Sequence, residues 1–340
     1  MSIERELPGR SAPAAATPAA VAALPRGRWL LAVSGGRDSM VLLHAMARAR
    51  GEEIAAVANF DHGTGAFARR AAALVAREST RRGLASVAGA APPGLPFNEG
   101  AWRAARHAFL DAWAEELDAV VLTAHTRDDQ IETVVQRLLR DAGPRGLAGM
   151  HPVEASAEEP APGGRAAPRL RPLLTVRRAE IDAYASTNGV PFVEDPSNAS
   201  LDFQRNRVRH EILPALERAA PGFGEWCWAL GARAADWRAR MERVIDALGV
   251  THADATTLVM RAAPLAACSA LEWAVLWPAL AARVGVVMDR RGIERAAAWA
   301  PRAKAGQAIP LSGDARIMRT AATYVVKGTL EASRGYILDQ

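Results

Sequence analysis

Lysine is almost missing from this chain of 340 residues: Lys304 and Lys327 are the only two, although Lys and Arg together number 42. Positive charge is therefore carried by guanidinium groups, and any phosphate contact has to be made by planar arginine forks. A Walker-type GxxxxGK[ST] loop, which depends on its lysine, is excluded. Cysteine is as scarce. Cys227 and Cys268 lie far apart and form no CxxC, which disfavours a disulfide framework, a zinc ribbon and a ligated iron–sulfur cluster. The chain also lacks any run of about eighteen apolar residues, so no membrane span is expected. Residues 1–25 are rich in Ala and Pro and lack a basic segment followed by a leucine-type core. They read as a flexible tail rather than a signal peptide, and a cytoplasmic location follows.

Half of the residues are hydrophobic, the net charge is +5 and the pI is about 9.8. That balance suits a polyanionic partner or simply aids solubility. The length accommodates one large or two modest domains. Trp29-Leu30-Leu31-Ala32-Val33 is a short apolar run that stops at Ser34-Gly35-Gly36 and reads as a buried parallel strand. Residues 39–50 carry helical periodicity. A second strand over 54–60 ends at Asp61-His62-Gly63, and helices are expected over 67–82 and 101–117. A third strand, 119–122, ends at Thr123-Ala124-His125 and leads into a helix over 128–140. Strands alternating with helices predict an α/β fold, a Rossmann-like parallel sheet flanked by helices, with functional loops at the carboxyl ends of the strands. Residues 154–168, rich in Pro, Gly, Ala and Glu, read as a flexible loop. Residues 176–188 form a helix that stops before Gly189. Residues 213–249 are helical, and the remainder reads as mostly helical to Trp299 with a β-like end over 308–326. The expected organisation is a tail (1–25), a catalytic domain (26–218), a mainly helical accessory domain (222–330) and a second tail (331–340), with the boundary near Pro221-Gly222.

Ser34-Gly35-Gly36-Arg37-Asp38-Ser39 sits between a strand and a helix. Glycines let the backbone turn tightly and approach a ligand closely. Successive N–H groups and the positive helix end form an anion nest, to which the hydroxyls of Ser34 and Ser39 add donors. Asp38 cannot donate to a phosphate, but it suits Mg²⁺ carried on one. The alternative is a plain strand–turn–helix with a serine cap. The hexapeptide resembles the PP-loop of N-type ATP pyrophosphatases, which split ATP into AMP and pyrophosphate and adenylate a carbonyl-type oxygen. That resemblance implies ATP over Ser34, Gly35, Gly36, Asp38 and Ser39, its adenine near Ala32 and Asp61-His62, and Mg²⁺ on Asp38.

His125, Asp128, Asp129 and Glu132 are three or four residues apart, so within a helix they share a face at the mouth of the sheet. Read singly, each acid is as well explained by a helix cap or a solvated face. Together they suit a second Mg²⁺ or a substrate ammonium, and His125 suits either a phosphate or a base. On another helix lie Arg103, Arg106 and His107. Further on, Glu194-Asp195-Pro196-Ser197-Asn198 is followed by Arg205-Asn206-Arg207-Val208-Arg209. There Arg205 and Arg209 either meet phosphates or pair with Glu194 and Asp195. His-x-x-Asp-Asp-Gln-x-Glu-Thr, Arg171-Pro172-Leu173-Leu174 and the Arg-Asn-x-x-Arg segment are similar to those of tRNA(Ile)-lysidine synthetases, over roughly residues 29–216. Asp141, Trp102 and His107 depart from that pattern.

The resemblance implies catalytic roles for Asp38, Arg106, His125, Asp128, Asp129 and Glu132. It implies substrate and tRNA contacts through Arg103, Arg106, Asp195, Arg205, Asn206 and Arg209. The activity it implies is ligation of free L-lysine to C2 of the wobble cytidine of tRNA(Ile) with a CAU anticodon, driven by ATP and Mg²⁺. It implies no membrane partner and leaves room for a homodimer. Cytidine 2-thiolation shares two of the motifs but needs cysteine ligands that are absent. A small-molecule adenylating enzyme and a catalytically silent RNA-binding protein are the other readings. The mixed Trp226, Trp228, Trp237 and arginine stretch suits either stacking on bases or a helical core.

Overall fold

The computed structural model describes residues 15–63, 65–92, 94–95, 99–154, 167–195, 200–254, 256–311 and 314–328. Residues 155–166 of the expected loop, the Pro196-Ser197-Asn198 turn and the 331–340 tail lie outside the described residues. The chain divides into two compact units, Met1–Asp141 with Gly149–Gly231, and Ala142–Ala148 with Ala232–Gln340.

The first unit runs α1 (Ala16–Ala22), β1 (Trp29–Ala32), α2 (Arg37–Arg50), β2 (Ile54–Asp61), α3 (Ala66–Arg81), β3 (Ser86–Ala90), α4 (Glu99–Glu116), β4 (Val120–Leu122) and α5 (Arg127–Leu139). After α6 (Pro144–Leu147), which belongs to the second unit, it continues with β5 (Val153–Glu154), β6 (Arg169–Leu170), α7 (Arg178–Asn188), α8 (Gln204–Arg207), α9 (Leu213–Ala219) and the start of α10 (Phe223–Ala247). The sheet order is β3-β2-β1-β4-β6-β5. Every pairing is parallel except that of β5 with β6.

Successive side chains of a strand point to opposite faces, and β1 fills a core on each. Leu31 packs with Met40, Leu43, Leu74 and Ile181 under α2, α3 and α7, whereas Leu30 packs with Leu110 and Ala114 under α4. Both leucines are fully buried, a gain of about 2 kcal/mol each. The chain leaves β1 for β2 and β3 on one side and returns to β4 on the other. The strand order therefore reverses between β1 and β4, the switch point at which open α/β sheets leave a crevice for ligands.

The expectation of a tail through residue 25 is corrected. Residues 16–22 are helical because alanine favours the helix and because Val21 finds a core: it is fully buried, with Ala16, Ala20 and Leu24 packed beside it. The Arg50 guanidinium fixes the exit of α1 by donating to the carbonyls of Leu24 and Pro25. The single helix expected over 213–249 is broken between α9 and α10, where Gly222 takes φ +90°.

The second unit contains α6, the rest of α10, β7 (Thr251–Asp254), β8 (Thr257–Arg261), α11 (Ala270–Ala282), α12 (Arg290–Trp299), β9 (Ala308–Pro310), β10 (Arg316–Arg319) and β11 (Thr323–Lys327). Its helices are joined by an antiparallel sheet of order β7-β8-β11-β10-β9. The hairpin β7–β8 replaces the helix expected there. Leu258 and Met260, two apart on one face, are buried against Trp273, Trp277 and Tyr324, and the two indoles stack at 4.5 Å.

Candidate active site

The loop after β1 and the loop after β4 flank the switch point. Val33 is held in line with the sheet by Asn59, whose Nδ2 donates to the Val33 carbonyl at 2.7 Å. The chain then turns at Gly35, where φ is +87° and a Cβ would lie 2.8 Å from that of Ala71. Only glycine satisfies both conditions. Gly36 caps α2 in an extended conformation, so the first-turn N–H groups of Arg37, Asp38 and Ser39 point outward with no helical acceptor. Ser39 Oγ donates to the Gly36 carbonyl at 2.9 Å and lies 3.2 Å from Ser34 Oγ. This backbone is an anion cradle built at a helix N-terminus.

Asp38 is half-buried on this first turn. Burial, reinforced by the negative charge of Asp129, pushes its carboxyl up to about 6, against the pull of Arg178, Arg209 and Arg37. A carboxyl in that state is short of a cation. Mg²⁺ takes hard oxygen ligands, commonly one or two carboxylates completed by substrate phosphates. Among the described residues no group of three or more His, Cys, Asp or Glu is disposed to hold a metal. Asp38 thus fits an ion that arrives with phosphates better than one held in a protein cage.

On the other side of the switch point, α5 begins in a capping box. Asp129 Oδ2 accepts from the N–H and Oγ1 of Thr126 at 2.7 and 2.9 Å. Its Oδ1 takes Arg205 Nη2 at 2.9 Å, Arg178 Nη2 at 3.1 Å and Arg209 Nη2 at 3.3 Å. One turn on, Glu132 accepts Arg209 Nε at 2.6 Å and Arg205 Nε at 3.0 Å, with Arg178 Nη1 at 3.6 Å. Asp129 is 6% exposed and Glu132 2%. Burial would raise the Asp129 carboxyl; Arg205, the Thr126 N–H and Arg178 outweigh it and hold it below the usual range. Of the two readings offered for Arg205 and Arg209, an internal pair is the one formed, with Asp129 and Glu132 as the acids. Their four-residue spacing carries both guanidiniums across to α5, and Glu194 is taken instead by Arg37 at 2.9 Å.

His125 precedes α5 rather than sharing its face, with Nδ1 3.0 Å from Thr123 Oγ1. Burial, opposed by Asp129 and helped by Arg171, Arg205 and Arg106, drives its pKa down to about 3, so the ring is neutral. Asp128 does not face the cluster. Its Oδ2 accepts the backbone N–H of Arg178 at 2.7 Å and so fixes the start of α7. Arg106, from α4, lies within electrostatic reach of both His125 and His62. Arg103 is exposed on the same helix. Ala32 ends β1, and Asp61 Oδ1 holds the Gly63 N–H at 2.7 Å. Asn206 donates to the Ser200 carbonyl at 2.8 Å. Asp195 is half-buried after the Phe192-Val193-Glu194 segment, whose Val193 N–H reaches the Gly35 carbonyl at 3.0 Å.

Two side chains that hold this region were not singled out in the sequence, although Gln130 stands inside the His-x-x-Asp-Asp-Gln-x-Glu-Thr motif. Arg178 adjoins Arg177, and nothing in the spacing says which of the two points inward. Gln130, between Asp129 and Glu132 on neither acid's face, binds the backbone of Met150 through Oε1 at 2.8 Å and Nε2 at 3.3 Å. The substantial open hollow lined by Arg37, Asp182, Ser186, Val190 and Phe192 lies against α7, apart from the carboxylate–arginine cluster.

The model of the PP-loop domain family matches residues 13–216. Among curated proteins, the chain is 39% identical over 198 residues to the tRNA(Ile)-lysidine synthase of Pseudomonas fluorescens (strain Pf0-1), covering 57% of this chain and 42% of that protein. It is 42% identical over 214 residues to the protein of the same description from Aromatoleum aromaticum, covering 60% and 46%. The chain thus spans less than half the length of these relatives. Among solved structures, the U34-tRNA thiolase NcsA from Methanococcus maripaludis, with its [4Fe-4S] cluster, superposes with a TM-score of 0.52 at 14% identity, over 65% of this chain and 78% of that one. That likeness extends to the fold. No helix among the described residues is long and apolar enough to cross a membrane.

Proposed function

The chain belongs to the PP-loop domain family, and from that premise we propose that it ligates lysine to C2 of the wobble cytidine of tRNA(Ile) with a CAU anticodon, through an adenylated cytidine. The observation that carries the reading is the pairing of an anion cradle at residues 34–39 with the Asp129–Glu132–arginine cluster across one switch point. Residues 26–218 form the catalytic part in this reading, and the rest helps hold the tRNA.

ATP lies with its phosphates over the N–H groups of residues 36–39 and the hydroxyls of Ser34 and Ser39. Asp38 would hold Mg²⁺ carried in with the phosphates, and the ion would supply charge neutralisation for the pyrophosphate leaving group. O2 of the cytidine attacks the α-phosphorus, the bond to the β-phosphate oxygen breaks, and pyrophosphate leaves. The lysine ε-amine then attacks C2, and AMP departs with the former O2. The amine must first lose its proton. The surplus of guanidinium over carboxylate around Asp129 and Glu132 disfavours an ammonium and so lowers the pKa of the incoming amine. Glu132 is positioned to accept the proton once Arg205 or Arg209, each partly exposed, swings to a phosphate of the tRNA or ATP. Neutral His125 offers a hydrogen bond to base or phosphate without adding charge.

Cytidine 2-thiolation fits these residues less well. Of the only two cysteines, Cys227 is buried, with its thiol pushed up to about 11 by desolvation, a poor state for binding iron or carrying sulfur. The test is a reaction of the purified chain with ATP, Mg²⁺, labelled lysine and a tRNA(Ile) transcript bearing CAU. Lysine-dependent AMP release and label in the tRNA are expected. AMP release that is indifferent to lysine, or no release at all, defeats the proposal.

A further inference from the structure

Arg37 is the one cation inside the Ser34–Ser39 cradle, and an arginine in a phosphate loop invites assignment to the phosphate. The structure points its side chain elsewhere. Nη1 donates to Asp182 Oδ1 on α7 at 2.5 Å, Nη2 donates to Glu194 Oε1 at 2.9 Å, and the guanidinium carbon sits 4.7 Å from the centroid of the Phe192 ring. Beside it, the Val193 N–H donates to the Gly35 carbonyl at 3.0 Å. The first residue of α2 is thereby joined to α7 and to the 192–194 segment by a two-pronged fork, a ring contact and a backbone bond. Both terminal nitrogens of Arg37 are thus committed to carboxylates outside the cradle.

We infer that Arg37 is a positioning residue for nucleotide binding: its fork on Asp182 and Glu194 sets the angle of the first turn of α2, and so the aim of the N–H groups of residues 37–39. An anion nest works only when its donors converge on one point, and the glycines before it leave the turn little stiffness beyond the contacts of the Ser34 and Ser39 hydroxyls. An outside brace supplies that stiffness. Lysine, with a single point charge, cannot hold two separated carboxylates in one plane. The inference rests on the reading of residues 34–39 as the nucleotide site.

The experiment is calorimetric titration of Mg²⁺ and ATP, without tRNA, into the wild-type chain, Arg37→Met, Arg37→Lys, Asp182→Asn, Glu194→Gln and the Arg37→Met/Asp182→Asn double variant, with a melting curve for each. Arg37→Met should weaken ATP by about tenfold, the combined size of two partly exposed pairs and a ring contact. Asp182→Asn should weaken it about threefold although it touches no ligand, and the double variant should match Arg37→Met alone. Glu194→Gln, at the exposed prong, should move affinity in the same direction with the melting temperature unchanged. Arg37→Lys should recover only part of the loss. A direct phosphate contact would behave otherwise: Asp182→Asn would free the guanidinium and leave ATP binding equal or tighter, which overturns the inference. Melting temperatures that fall while every affinity holds would also overturn it. A wild-type chain that takes up no ATP would remove the nucleotide site itself, and with it this role.

Discussion

Asp38→Asn should make the metal-free protein more stable near pH 8 while abolishing turnover. The carboxyl is desolvated and lies close to Asp129, so its pKa in the fold is about 6 against an ordinary 3.8. The folded chain therefore binds this proton more tightly than the unfolded chain does. The associated stability is fully present below the ordinary value and is lost as the pH rises through the folded value. A shift of about two units at 1.36 kcal/mol each makes the ionised group cost roughly 3 kcal/mol at pH 8. An uncharged amide of the same shape escapes that cost. For a unit of this size the gain corresponds to a rise in melting temperature of about 5–10 °C. The assay is thermal unfolding followed by circular dichroism in chelator, from pH 4.5 to 8. The difference between variant and wild type should be about a third of its full size at the acid end, widen toward pH 6 and level off above it. Adding Mg²⁺ with ATP should raise the wild-type midpoint by mass action and leave the variant unmoved. A variant that melts below wild type at pH 8, or an offset that is the same at both ends of the range, would show that no buried unpaired charge is present and would remove the argument for a cation there.

Glu132→Gln should do the opposite to stability. Glu132 is 2% exposed between Arg205, Arg209 and Arg178, and removing its charge leaves three guanidiniums on Asp129, a loss of about 3 kcal/mol; an unchanged urea midpoint would refute this. Gly35→Ala should destabilise the fold by about 1–3 kcal/mol through its φ of +87° and the 2.8 Å approach to Ala71, and should weaken ATP. At Gly36 φ is −74° and the nearest atom is Ser34 Oγ at 3.5 Å, so Gly36→Ala should keep its melting temperature; a drop as large as that of Gly35→Ala would contradict the geometry.

The first unit was legible where local and tertiary signals agreed. Leu30 and Leu31 must each be buried on opposite faces, so an unbroken apolar run ending in Ser-Gly-Gly reads as a central parallel strand, and the same logic finds β4. Strand β3 escapes it because Ser86-Val87-Ala88-Gly89-Ala90 is an edge of small residues; Gly89 leaves the room that the Phe109 ring fills, at 2.5 Å from where a Cβ would stand. Helix α1 escapes because alanine and proline look alike in tails and in short docked helices, and one buried Val21 decides between them. The β7–β8 hairpin did carry a signal: Leu258 and Met260 alternate with Thr257, Val259 and Arg261, a period of two that a mostly helical surrounding obscures.

The site shows a deeper limit of motif-by-motif reading. Acids at 128–132, taken alone, call for a cation, and arginines at 205 and 209, taken alone, call for phosphate. Folded together they are each other's ligands, with Arg178 supplied by a third segment. The two buried acids and three arginines leave one guanidinium in excess, which Asp38 offsets only when it is ionised. Substrate charge therefore acts on a nearly neutral, mutually satisfied cluster. In the proposed reaction, an anion that draws Arg205 or Arg209 outward leaves Glu132 with an unpaired lone pair in a dry place, which suits it to accept the proton of the amine. Neither motif offers that possibility until the other is present, which is why it is invisible along the chain and arises only where the fold carries Arg205 and Arg209 to α5.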